Sequence, residues 1–507
     1  MTQKLGNTVL HSLPDNIAAP RFDRANLSAG ILHIGVGNFH RAHQAMYLNH
    51  LFELGEGQDW AIVGAGLMPY DRAMRDRLKD QDWLTTVVEL APEGLSARVC
   101  ASMIDFVDID PAQLVARLGD PAIRIVSLTI TEGGYFVDPN TGGFDATHPD
   151  ILADLHDAAN PRTVFGALVV ALLKRKAEGI PPFTIMSCDN LPENGHIARQ
   201  AVVGYARAFS PEAADWIAEE VAFPSGMVDC ITPATGDRER SLVAETFDLE
   251  DAAPVVCEPF RQWVLEDNFP TGRPALEKVG VEFVDDVAPY ELMKLRILNG
   301  GHAAIAYPAA LLGHHFVHDA MADPLIRAYL RKLELDEILP TVPEIPGVDF
   351  ETYLATVLQR FSNAAVGDTI PRLCLDGSNR QPKFILPAIQ DRLDKDQSID
   401  GLALETALWC RYCLGRDEAG NSIEIEDENS ALLRDWASRT FSDSGHETPQ
   451  MPEIFGSLAS DRRFLEAFSS AAGMISSEGV AGALSKYLAT GKRIEEKRNA
   501  FFQQLNN

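Results

Sequence analysis

The chain has 507 residues, 46% of them hydrophobic, and its 44 Lys and Arg against 73 Asp and Glu give a formal net charge of −29. That length exceeds one compact core and predicts two domains. The charge repels phosphate backbones and anionic lipid, which argues against a nucleic-acid or membrane partner but leaves room for an anionic cofactor in a local pocket of dipoles.

The seven cysteines are scattered. Cys410 and Cys413 form a C-x-x-C, but no second pair completes a zinc site, so two ordinary thiols on a helix are expected. The opening "MTQKLGNTVLHSLPDN" has no apolar signal-peptide core. The longest strongly apolar run, "VFGALVVALL", is about half a membrane span. A reduced, cytoplasmic protein is expected.

In chain order, the first predicted strand is "GILHIGVG" (Gly30 to Gly37), which leads through "GVGNFHRAH" into the helical "RAHQAMYLNHLFELG". Gly35 and Gly37 fill the first two places of a dinucleotide-binding turn. The first allows a tight bend, and the second lets backbone approach a pyrophosphate. His40 stands in the third glycine's place, so the fingerprint is incomplete, and the strand–turn–helix setting gives it its weight. Phe39, His40 and Arg41 lie on this turn as candidate cofactor contacts, with Arg41 able to pair with a phosphate. His40 and His43 read equally well as packed histidines.

The second strand, "WAIVGAGL" (Trp60 to Leu67), is followed by Asp71, where a carboxylate can bind the ribose hydroxyls of NAD. A helix-capping aspartate is the plainer reading. Arg72 beside it could favour a 2′-phosphate and leaves NADP open. The third and fourth strands, "AIRIVSLTIT" and "PFTIMSC", end in Thr131 and Glu132, and in Asp189 and Asn190. Ligands in open α/β sheets sit beyond such strand ends, although Asp, Asn and Gly also favour turns and caps. "RTVFGALVVALLKRKAEG" is a helix with a glycine stop. Asp229 lies in a Pro-bounded apolar loop. Alternation of short β-branched runs with amphipathic helices predicts an α/β, doubly wound sheet.

After "VEFVDDVAPYE" helical patterns dominate, placing a boundary near residue 286, with domains 1–285 and 286–507. The helical stretches are "ELMKLRILNGGHAAIAYPAALLG", "DPLIRAYLRKLELDEIL", "FETYLATVLQRFSN", "LALETALWCRYCLG" and "RIEEKRNAFFQQL". The acidic "GRDEAGNSIEIEDENS" reads as an exposed loop. On a regular helix at about 100° per residue, Glu291, Lys294, Asn299 and His302 fall within about 140° of arc. Gly300 and Gly301 weaken a helix but permit close approach of backbone or ligand. A partly desolvated lysine can be a general base, and an amide can donate to an alkoxide. Taken singly, each of these side chains reads as structural. His315 and His318 are spaced for a metal but as a lone pair are more often surface.

"GVGNFHRAH", "TITEGGY", "SCDNLPENG", "CEPFRQWVLEDNF", "RFSNAAVGDTIPRLCLDGSNRQPKF" and the K-x-x-x-x-N-x-x-H of "KLRILNGGH" resemble, in motif order, the polyol-specific long-chain dehydrogenases. The resemblance implies a Rossmann-like N-terminal domain, a mainly α-helical substrate-binding and catalytic C-terminal domain, and NAD-linked, metal-independent oxidation of an alcohol. It implies Lys294 as general base, Asn190 and Asn299 as the oxyanion amides, His302 as a substrate contact and Glu291 as a proton relay. Further substrate contacts fall on Asp229, Arg372 and Arg380, the last standing where the family has a lysine. The NAD-selecting acid falls on Asp71, preceded by Tyr70 where a second acid is expected. His40 in place of the third glycine is ordinary in this family. The implied substrate is mannitol or a relative such as arabinitol or sorbitol, interconverted with its ketose. The alternative is a hexuronate such as fructuronate, with Arg372 and Arg380 as a cation clamp. A monomer or small homo-oligomer is expected.

Overall fold

The computed structural model describes residues 2–138, 141–158, 160–442 and 451–505, with side chains up to residue 490. The chain divides into two compact units, Met1–Ala288 and Pro289–Asn507.

The first unit is built on a five-stranded parallel sheet. In chain order its strands are β1 (Ala29–Ile34), β2 (Ala61–Ala65), β3 (Met103–Phe106), β4 (Ile125–Leu128) and β5 (Thr184–Ser187), and their order across the sheet is β3-β2-β1-β4-β5. Both faces are covered. Ile31, Ile62 and Ile125 enter one apolar cluster, while Leu32, Ile34, Val126, Leu128 and Ile185 enter another. This explains the unbroken apolar runs, since strands buried on both faces lack a polar alternation. Helix Val164–Glu178, between β4 and β5, is capped by Thr163 Oγ1, which accepts from Gly166 N at 3.1 Å, and is stopped by left-handed Gly179.

The order reverses between β1 and β4, so the crevice beyond their carboxyl ends is the topological switch point where ligands bind in such sheets. The sequence reading missed β3 and an antiparallel hairpin, Thr85–Ala91 with Gly94–Cys100. The hairpin's second strand begins with three exposed residues and has no apolar run to betray it.

The second unit is helical, and among the described residues no strand follows Val284. Its centre is helix Asp400–Tyr412, whose Trp409 packs on Trp436 and Phe455. Cys410 and Cys413 are buried, as befits core thiols. The acidic loop is mostly exposed, as expected, while its Asp427 turns inward and accepts from Ser378 N and Oγ at 2.8 and 2.7 Å. The segment read as one regular helix from Glu291 is three pieces: Ala288–Met293, a π-turn Lys294–Asn299, and Gly300–Leu311. No described helix is long and apolar enough to cross a membrane.

Candidate functional site

In the first unit the turn after β1 requires a glycine at its first position. Gly35 has φ +94°, and a Cβ there would overlap the Thr129 carbonyl oxygen at the end of β4. Thr129 Oγ1 also donates to Gly35 O at 2.6 Å, and Gly37 N donates to the same oxygen at 2.7 Å. Gly37 itself is nearly open: the nearest atom to a Cβ there is Gly35 O at 3.8 Å. One glycine therefore closes the turn and the other leaves its outer side clear, as a pyrophosphate cradle requires. Gly35→Ala is expected to weaken dinucleotide binding about tenfold or more through left-handed strain and overlap. Fluorescence titration with NADH checks this, and an unchanged affinity would remove the turn from the cofactor site.

Two residues of this turn are packed into the protein. Arg41 is buried, with Nε donating to Gly37 O at 3.1 Å, Nη2 to Asn38 Oδ1 at 2.7 Å, and Nη1 to Ala253 O. It braces the turn from behind. His40 is also buried and stacks on His33 with ring centroids 3.4 Å apart. Burial, with the neighbouring His33 and Arg41 charges, holds its pKa well below the usual range. Phe39, half-buried, stacks on His43 at 4.8 Å.

Asp71 is folded back over Gly66 and accepts from Met68 N at 2.9 Å, capping helix Pro69–Lys79. Burial raises its pKa against these backbone bonds. The capping reading is thus realised, and Tyr70 beside it is 72% exposed. At the ends of β4 and β5, Asp189 ties the two strands together. It accepts from Ile130 N at 3.0 Å, Thr131 N at 2.9 Å and Tyr135 Oη at 2.7 Å. That network leaves Glu132 and Asn190 exposed at adjacent strand ends. Asp229 is buried at the end of strand Gly226–Asp229.

In the second unit the π-turn changes the geometry inferred for a regular helix. Its i→i+5 register brings residues five apart nearly over one another, so Lys294 and Asn299 share a side of the turn rather than lying well round it. Lys294 is 9% exposed, and Asn299 and Glu291 are half-buried. The turn is anchored by Arg296, which pairs with Asp391 at 2.8 Å and donates to Thr341 Oγ1 at 3.0 Å. His302, one turn later, stacks on Phe361 at 4.1 Å.

Gly300 and Gly301 face a second π-turn, Glu334–Ile338: a Cβ on them would lie 3.9 Å from Ile338 Cδ1 and 3.0 Å from Glu334 Oε1. The close approach that these glycines permit is made here by side chains of the second turn.

Arg372 is exposed and Arg380 half-buried. Arg372 is held by Asp368, a residue the sequence reading passed over although its D-x-x-x-R spacing is that of an intrahelical pair. Arg380 Nη1 donates to the carbonyls of Leu373 at 2.8 Å and Arg372 at 3.3 Å. His318 lies 3.5 Å from Asp319, and no group of three or more His, Cys, Asp or Glu among the described residues is placed to hold a metal ion.

Residues 29–278 match the family described as Mannitol dehydrogenase Rossmann domain, and residues 286–475 match Mannitol dehydrogenase C-terminal domain. The mannitol 2-dehydrogenase of Cereibacter sphaeroides is 53% identical over 480 residues, covering 94% of this chain and 99% of its own. That of Phaeosphaeria nodorum is 42% identical over 492 residues, covering 96% and 86%. Among solved structures, Pseudomonas fluorescens mannitol 2-dehydrogenase in a ternary complex with NAD and D-mannitol is 42% identical with a TM-score of 0.81, covering 96% of this chain and 100% of its own. A substrate-free D-sorbitol dehydrogenase is 36% identical with a TM-score of 0.88, covering 95% and 100%.

Proposed function

The chain belongs to the mannitol dehydrogenase family, and from that premise we propose that it interconverts D-mannitol and fructose, with Lys294 as the general base and no metal ion in the chemistry. It is an NAD-dependent polyol dehydrogenase. The observation that carries the finer reading is the π-turn, which sets a buried lysine and an amide on one side of the segment bearing the family's K-x-x-x-x-N-x-x-H spacing.

Gly35 and Gly37 would hold the pyrophosphate of NAD, with Glu132 and Asn190 at the neighbouring strand ends and Asp71 the candidate for the ribose. When bound, NAD supplies the hydride acceptor. Lys294, as the neutral amine, takes the proton of the substrate hydroxyl; partial desolvation is the general means of keeping a lysine available for this. The amides of Asn299 and Asn190 donate to the oxygen as negative charge develops on it. His302, Asp229, Arg372 and Arg380 orient the polyol, and Glu291 passes the proton onward. In ketose reduction protonated Lys294 returns the proton. A cation and two amides supply the polarisation that a metal would otherwise provide. Seven free, buried cysteines support a cytoplasmic setting.

The test is a panel of mannitol, sorbitol and arabinitol with NAD and with NADP, followed by absorbance of the reduced cofactor. The expected result is the highest kcat/KM with mannitol, and a preference for NAD of about tenfold or more. Turnover of mannitol below that of both other polyols would overturn the substrate assignment.

A further inference from the structure

The segment before helix Ile370–Cys374 is pinned to residues 315–317. Val317 N donates to Asp368 O at 3.0 Å, Ile370 N donates to His315 O at 2.8 Å, and Phe316 and Thr369 form a β-bridge. Asp368 thus has a fixed backbone and a side chain only 12% exposed. One turn later Arg372 presents its fork: Nε donates to Oδ1 at 2.6 Å and Nη2 to Oδ2 at 2.5 Å. This is a bidentate pair, the geometry in which arginine binds a carboxylate most strongly. Burial pushes the Asp368 pKa up, but the bonds and charge of Arg372, joined by the charge of His302, hold it below the usual carboxylate range. The side chain is therefore an anion at neutral pH, and it acts on two residues of the candidate substrate site.

We propose that Asp368 is a positioning residue that sets the substrate's charge: by occupying the fork of Arg372 it makes the site accept a neutral polyol or ketose and reject a sugar bearing a carboxylate. An incoming carboxylate would have to displace a formed bidentate pair and would meet the Asp368 charge. Rejection of a wrong partner by like charge is negative selection of this kind. Hydroxyl groups meet no such competition and can use the remaining N–H groups of the exposed guanidinium. Arg380 is the weaker candidate for a substitute clamp in this arrangement, since its Nη1 is already engaged by the carbonyls of Arg372 and Leu373. The proposal rests on the reading that Arg372 contacts substrate.

Four variants separate the two ideas: Asp368→Asn, Asp368→Glu, Arg372→Ala and the double variant of the first and third, each assayed for fructose and fructuronate reduction with NADH after a thermal melt. Asp368→Asn is expected to raise the ratio of kcat/KM for fructuronate to that for fructose about tenfold or more, mainly through KM. Asp368→Glu should restore the wild-type ratio, and Arg372→Ala added to Asp368→Asn should abolish the gain. A merely structural role would lower both substrates together and leave the ratio fixed, which overturns the proposal while Arg372→Ala still raises the fructose KM. If Arg372→Ala leaves KM for both sugars unchanged, Arg372 is outside the substrate site and the proposal falls with that reading. Asp368→Ser gives the same comparison if Asp368→Asn does not fold.

Discussion

Lys294→Ala is expected to lower kcat for mannitol oxidation by about 10³-fold, the middle of the range for losing a positioned general base. The affinity for NADH, measured by fluorescence titration, should stay within about twofold, because the substitution leaves the proposed pyrophosphate contacts, Gly35 and Gly37, unchanged. The fold should also survive, since Arg296 continues to anchor the π-turn through Asp391 and Thr341. A small primary amine added to the assay should return part of the lost rate, because the missing function is proton transfer and not shape. An unchanged kcat would take the base assignment away from Lys294. A loss in KM alone, with kcat intact, would make it a binding residue. Asn299→Ala should cost less, about 10²-fold, as the removal of one of two oxyanion donors does.

What was legible in the sequence follows from which features are local. β1, β2, β4 and β5 are buried on both faces, so each appears as a short unbroken apolar run. Gly35 and Gly37 are legible because a left-handed turn and a clear approach both demand glycine at fixed spacing. The π-turn is not legible, since one extra residue per turn leaves the composition unchanged, and the contacts of Arg296 with Asp391 and Thr341 that help hold it appear only in the fold. The direction of Arg41 and His40 is not legible for a related reason. Charged and imidazole side chains beside a phosphate-binding turn suggest ligand contact, but their direction is decided by partners far along the chain. Ala253, which receives Arg41 Nη1, is 212 residues away. Asp368 had a readable spacing to Arg372, but its consequence appears only once the fork is seen to be filled.

Glu334→Gln is expected to raise thermal stability at neutral and alkaline pH and to leave it unchanged near pH 4. Glu334 is fully buried, and neither carboxylate oxygen has a hydrogen-bond partner among the described residues. Burial alone pushes its pKa well above the ordinary 4.5, so the folded protein holds a proton that the unfolded chain releases. Below the ordinary value both states are protonated and nothing is lost. As pH rises above it, stability falls by about 1.4 kcal/mol per pH unit until the folded carboxyl also ionises, after which the loss is constant. Glutamine has the shape of the protonated acid and does not titrate, so the gap in Tm between variant and wild type should open with pH and then level off. A gap of the same size from pH 4 to pH 9, or a variant less stable throughout, would mean that the carboxyl is ionised and partnered in the fold. The position matters because Glu334 and Ile338 sit against Gly301 and Gly300, directly before His302. A group that lowers stability where the protein works is lodged against the segment that carries Lys294, Asn299 and His302. Gly301→Ala, which sets a methyl 3.0 Å from Glu334 Oε1, should therefore disturb His302 and raise KM for mannitol as well as lower Tm.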